Sequence, residues 1–196
     1  MGRKKLIADD LLMKIARDVF IRSGLKASTR EIARLAGISE AAIFKRYRTK
    51  ACLFLAAMVP PAADLDALFR RTQQGKPAQR EIESVFLRMV EYFRSATPVI
   101  LQLTLHPSFR FERFAEDHPE NPLVAMRSSL MRFLESLRKE GGIRNVNPAP
   151  AAFLLFGTAQ SVALYERIGA HGGQMPEWLI RAMAQSLWTG MSPDAE

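Results

Sequence analysis

The chain has 196 residues with 48% hydrophobic and 24% charged side chains, the balance of a folded globular protein, with length enough for a real core. A single cysteine, Cys52, rules out an intramolecular disulfide framework, and the longest apolar run, 51–63, is too short and too broken by Pro60-Pro61 to cross a bilayer. The net charge of +8 is unevenly placed: residues 1–50 hold 13 Lys and Arg against 5 Asp and Glu, so the whole excess sits there and residues 51–196 are neutral.

In chain order, the first element is an amphipathic helix from Ala8 to Ser23. Leu12, Ile15, Ala16, Val19 and Phe20 recur on one face, and Gly24 is its stop signal. Ser28-Thr29-Arg30-Glu31 reads as a capping box, in which Ser28 accepts from the Glu31 N–H and the Glu31 carboxylate reaches back to the Ser28 N–H. The helix it opens carries Ile32, Ala33 and Ala36 and ends at Gly37. A third helix begins at Ser39 and runs through Ile43 and Phe44 to Tyr47; Thr49 then caps a fourth that starts at Lys50 and meets Pro60-Pro61. Helical patterns follow over 78–95, 97–106, 122–139, 149–169 and 176–191, separated by proline and glycine punctuation. No segment alternates with period two. The expected fold is therefore all-α with about nine helices: a three-helix helix-turn-helix domain over 1–52, then a larger helical domain over 53–196.

Two short helices joined at a glycine, behind a longer one, form the helix-turn-helix arrangement. Ala33 is small enough to let the second helix approach the third, Gly37 can take the left-handed backbone the turn requires, and Ile43 points back into the core. Lys45, Arg46, Arg48 and Lys50 then place four cations in six residues. Lys50 stands in the first turn of a helix, where the macrodipole disfavours a cation, and a DNA phosphate at that terminus would account for it. A lysine reaching into water would also fit. A basic module joined to a neutral one is the electrostatic footprint of a nucleic-acid reader with a separate second function.

The run Ser28 to Ser39, followed by Ile43-Phe44-Lys45-Arg46-Tyr47-Arg48-Thr49-Lys50-Ala51-Cys52-Leu53-Phe54, resembles the tetracycline-repressor (TetR-type) family over residues 8 to about 54. The resemblance implies a homodimer, a recognition helix from Ser39 to Tyr47 in the major groove, an inducer pocket in the second domain and a dimer interface built from the last two helices. The candidate DNA-contacting residues are Ser28, Thr29, Ser39, Glu40, Ala41, Ala42, Phe44, Lys45, Arg46, Tyr47 and Lys50. The sequence departs from the family pattern where Phe44 replaces a tyrosine, Lys45 a second aromatic, Arg46 a histidine and Ala41 a glycine. Phe44 without a hydroxyl is expected to pack, while Lys45 and Arg46 supply full charges that make binding more salt-dependent. Glu40 either accepts from a cytosine amino group or only favours the helix N-terminus; Ala42 is suited to a thymine methyl.

The neutral domain, rich in Phe, Leu and Met, is long enough for a core and a pocket. Phe93, Leu103, Phe109, Phe111, Met126, Phe133 and Tyr165 are the pocket candidates, although apolar residues at helical spacing serve a core equally well. The 149–169 segment is apolar or small almost all round, so it must be buried on several sides, and a dimer interface would supply one of them. The helix carrying Trp178, Leu179, Met183 and Leu187 is its natural partner in a four-helix bundle across a two-fold axis. His106, His118 and His171 lie apart with no metal-like spacing, and no phosphate loop or nucleophile elbow occurs, so neither metal, cofactor nor enzymatic activity is expected. The expectation is a cytoplasmic, sequence-specific transcriptional regulator, a repressor released from a palindromic operator by a small apolar or aromatic ligand. The alternatives are a nucleoid or cell-division DNA-binding factor without inducer, and a peripheral membrane protein using its basic N-terminus, where Gly37 and the helix-turn-helix spacing would have no purpose.

Overall fold

The computed structural model describes residues 9–60, 62–71, 77–117, 121–144 and 147–193. Ten α-helices and one 3-10 turn account for the regular structure of these residues, with no strand among them. They fall into two compact units: one from Met1–Pro60 and Pro98–His118, the other from Pro61–Thr97 and Pro119–Glu196. This division differs from a boundary at residue 52, because a later stretch of chain returns to complete the core of the first unit.

In the first unit, α1 (Asp9–Ser23) buries Leu12, Ala16, Val19 and Phe20 and is followed by the 3-10 turn Gly24–Lys26. Next come α2 (Thr29–Ala36), α3 (Glu40–Tyr47) and α4 (Lys50–Ala57), each opened by a hydroxyl that accepts from a backbone N–H: Ser28 from Glu31 at 3.4 Å, Ser39 from Ala42 at 3.2 Å and Thr49 from Cys52 at 3.1 Å. Such caps contribute about 1 kcal/mol each, which matters for helices this short. Only half of the expected capping box is formed, since the Glu31 carboxylate lies 2.6 Å from Arg22 on α1. Gly37 ends α2 in the left-handed conformation at φ 66°, and Ala33 and Ile43 are buried as the helix-turn-helix requires. Arg17 closes α4, donating to the carbonyls of Ala57 at 2.8 Å and Val59 at 3.1 Å. Val99 and Leu103 join this core, with Phe109 and Phe114 packed against it.

The patterns expected over 78–95 and 97–106 form one helix, α6 (Ala78–Thr104), which runs through Pro98. An internal proline costs about 3 kcal/mol, but Phe93, Ala96, Val99 and Leu103 on either side are all buried, and that burial outweighs it. Two further helices were too short to show a period: α5 (Leu65–Phe69), capped by Asp64, and α7 (Phe111–Asp117).

The second unit packs α5, most of α6, α8 (Pro122–Lys139), α9 (Ala149–Ile168) and α10 (Glu177–Thr189) around Phe86, Met89, Phe93, Met126, Leu130, Leu134, Leu155 and Ile180. Arg88 ties down the end of α5 through the carbonyls of Leu68 at 2.7 Å and Arg70 at 3.1 Å. Arg94 on α6 grips Glu166 near the end of α9 with bonds of 2.9 and 2.8 Å, and Glu166 also accepts from the Met175 N–H at 2.9 Å, which fixes the corner between α9 and α10. The guanidinium beside it holds the Glu166 carboxyl below the usual carboxylate range. Gly142 allows a close approach, because a Cβ there would lie 2.9 Å from the Cβ of Ala78.

Candidate nucleic-acid interface

The basic N-terminal module presents α3 with its first turn at the surface. Ser39 and Ala41 are exposed, Glu40 and Ala42 half-buried, and Ile43 anchors the opposite side with no exposed surface. Glu40 is tied to α2: the Thr29 hydroxyl donates to its carboxylate, and the Arg30 Nε lies 3.5 Å from it. The two helices of the motif are thus joined by a polar bridge as well as by Ala33 and Ile43. Ser28 is exposed and Thr29 half-buried at the start of α2.

Further along α3, Phe44 and Tyr47 are half-buried and Lys45 is exposed. Arg46 pairs with Asp9 at 2.7 Å, linking α3 to the start of α1. Burial and the nearby Asp9 raise the Tyr47 phenol above its ordinary value, with Arg46 pulling the other way, so the hydroxyl stays protonated and able to donate. Arg48 ends α3 with φ 28°, an uncommon conformation for a side chain other than glycine or asparagine. Lys50 donates to the Leu25 carbonyl at 2.7 Å. Its position in the first turn of α4 therefore has a partner within the protein, a carbonyl of the preceding 3-10 turn. The structure brings the whole candidate set together in one unit. It adds exposed cations that pattern alone did not single out, Arg30 with its side chain 87% exposed and Arg34 one turn on.

His106 belongs to the same unit. Its ring stacks on Phe54 at 4.3 Å, and its Nδ1 accepts from the Ser108 N–H at 3.1 Å. Burial, helped by the charge of Lys50, lowers its pKa. His171 is exposed and His118 lies outside the described residues. Among the described residues no cluster of His, Cys, Asp and Glu is arranged to hold a metal ion, and no helix is long and apolar enough to cross a membrane.

The pocket candidates divide between the two units. Phe93, Met126 and Phe133 are buried in the core of the second unit, Leu103 and Phe109 belong to the first unit, and Tyr165 stands 49% exposed on α9. Nothing is described of the Phe111 side chain. Phe133 lines an open cleft of about 430 Å³ with Phe69, Arg71 and Arg132. A second cleft of about 480 Å³ lies beside Arg94, between α6 and the start of α10. A third, of about 330 Å³, lies between the start of α9 and the end of α10.

A three-helix core carrying a capped, exposed helix on a positively charged module defines a helix-turn-helix DNA-binding protein. Residues 12–57 match the model of the bacterial regulatory proteins of the tetR family, whose members are DNA-binding transcription regulators. The whole chain shares their fold. A TetR-family transcriptional regulator from Mesorhizobium loti is 17% identical, with a TM-score of 0.73 over 94% of this chain and 96% of the other. The fatty acid degradation regulator FadR from Bacillus halodurans is 16% identical, with a TM-score of 0.69 over 93% and 99%. The flavonoid-responsive regulator FrrA is 21% identical, with a TM-score of 0.59 over 95% and 97%. No curated protein sequence matches the chain.

Proposed function

We propose that the protein is a dimeric transcriptional repressor that reads a palindromic operator with α3 and releases it on binding a small apolar or aromatic ligand in its second unit. The observation that carries the reading is the coincidence of the whole net charge with a complete, capped helix-turn-helix. Lys45 and Arg46, with Arg30 and Arg34 on α2, supply phosphate contacts; Ser39, Ala41 and Ala42 face the base edges. Glu40 holds Thr29 and Arg30 in place while α3 lies in the groove. A helix of eight residues gains rigidity from such a strut, and rigid donors lose less entropy on binding.

Dimerisation is supported by the surface of α9. Pro150, Leu154, Gly157, Ser161, Tyr165 and Ile168 recur at spacings of three and four and form an uncharged stripe; Leu154, Tyr165 and Ile168 are each about half exposed or more. An apolar stripe of that length on a folded unit calls for a partner. The ligand class rests on the neutral, aromatic-rich second unit, and two proteins of the same fold are named a fatty acid degradation regulator and a flavonoid-responsive regulator. The test is selection of bound DNA from a random pool at physiological salt. Enrichment of a palindrome with half-sites about one helical turn apart is expected; tight binding without enrichment would point to a nucleoid factor and refute the proposal.

A further inference from the structure

The cleft lined by α5 and α8 joins two aromatic rings to donors that are short of acceptors. Phe69 on α5 and Phe133 on α8 line it with ring centroids 6.2 Å apart, and its volume of about 430 Å³ suits a small molecule. Arg132, exposed beside Phe133, turns back onto its own helix, where Nη2 donates to the Ser129 Oγ at 2.8 Å. It meets no carboxylate among the described residues, whereas Arg138 on the same helix meets Glu135 at 2.7 Å. Ser129 is only 7% exposed, and its own O–H has no acceptor among the described residues. Arg71 grips Glu140 through Nη1 at 2.6 and 2.7 Å, but its Nε is buried with no partner. A buried N–H without an acceptor is costly and rare in a folded protein. The backbone between Phe69 and Arg71 is held in place by Arg88, which takes the carbonyls of Leu68 and Arg70.

We infer that this cleft binds an aromatic carboxylic acid, with its ring against Phe69 and Phe133 and its carboxylate on Arg132 and Ser129. The inference rests on the ligand-responsive reading proposed above and names the chemistry of that ligand. A carboxylate accepts from a guanidinium in a planar, two-bond geometry and keeps lone pairs for a hydroxyl and for the Arg71 Nε. Arg132 exchanges a bond to a neutral serine oxygen for charge-assisted bonds, and the Ser129 O–H gains the acceptor it lacks. Asp66 is exposed on α5 and also lines the cleft, so its negative charge disfavours the reverse orientation and leaves the Arg132 end for the acid. A neutral aromatic compound of the same shape would cover these donors without pairing them, which costs affinity. The cleft therefore selects for the acid and against its uncharged analogue.

Titration calorimetry on the full chain without DNA tests this, with naphthoate and benzoate as probes and naphthylmethanol as the uncharged counterpart. Naphthoate should bind at least about 10-fold more tightly than naphthylmethanol. Arg132→Gln should weaken naphthoate by about 10-fold or more and abolish the difference between acid and alcohol, with the helical circular dichroism unchanged because Arg132 is exposed. Arg127→Gln removes the same charge from an exposed position of α8 outside the cleft and should leave the affinity as it was. Equal losses in the two variants would show attraction at long range only, and full affinity in Arg132→Gln would place the acid elsewhere; either result overturns the site. No saturable binding of naphthoate or benzoate at about 1 mM would overturn the ligand class. Selection of bound DNA reads the regulator separately. A chain that selects a palindrome but binds neither acid loses this inference alone, whereas one that binds naphthoate through Arg132 but selects no sequence loses the repressor reading and keeps the site.

Discussion

Replacing Glu166 with Gln removes one charge from the corner that joins α9 to α10 while keeping its shape. Arg94 and Glu166 are 72 residues apart and meet in two bonds of 2.8 and 2.9 Å, with the Glu166 side chain only 9% exposed. Breaking a buried ion pair costs about 3–5 kcal/mol. Here Arg94 stays 23% exposed and keeps Glu91 at 3.1 Å, and an amide still accepts one bond, so the expected loss is about 2–3 kcal/mol. For a chain of this length that lowers Tm by roughly 4–12 °C. Urea unfolding at one fixed protomer concentration, followed by the fluorescence of Trp178 and Trp188, reads the second unit alone, since both tryptophans lie there. The pH dependence has a definite sign. The folded carboxyl titrates below its ordinary value of 4.5, so its contribution is complete above that pH and is lost as pH falls through the lowered value. The gap between the native protein and Glu166→Gln should therefore close in acid. A loss below about 0.5 kcal/mol at pH 7, or a gap that does not change with pH, would refute the assignment of this pair as the clamp on the corner.

Three further predictions address other parts of the molecule. Lys45→Ala should weaken binding to DNA of any sequence and lower the slope of log affinity against log salt by about 0.9, as expected for one phosphate contact; an unchanged slope would remove the exposed Lys45 from the phosphate contacts. Gly142→Ala should cost about 1–3 kcal/mol in denaturant melts, because the new methyl meets Ala78 at 2.9 Å with the Leu137 carbonyl at 3.3 Å behind it; an unaffected midpoint would mean the two segments separate freely. His106 has a folded pKa below its ordinary 6.5, so the stability it confers is present above that value and lost as pH falls through the lowered one. His106→Phe should keep the stacking on Phe54 and flatten the stability profile below pH 6.5, and an unaltered profile would exclude His106 as its source.

The helix-turn-helix was legible because its determinants are local. Caps at Ser28, Ser39 and Thr49, the turn at Gly37 and the periodic apolar residues of α1 act within a few positions of one another, and all take the expected roles. The polar partners were not legible. The capping-box reading of Glu31 failed because Arg22 on a neighbouring helix offered a full charge, and the first-turn cation at Lys50 found a carbonyl 25 residues away. Sequence spacing is silent on such pairs. The pocket candidates show the same limit: a phenylalanine at helical spacing looks alike whether it is enclosed in a core, as Phe93 is, or also borders a cleft, as Phe133 does.

Sequence alone determined the helices of the helix-turn-helix, their caps and the concentration of positive charge in one module, since these depend on side-chain size, backbone freedom and charge at short range. Only the tertiary structure decided that α6 continues through Pro98, that its tail completes the core of the first unit, and that Arg94 meets Glu166 across 72 residues. Each of these depends on which surfaces the folded chain brings together, where burial of many apolar side chains outweighs the roughly 3 kcal/mol that a proline costs a helix.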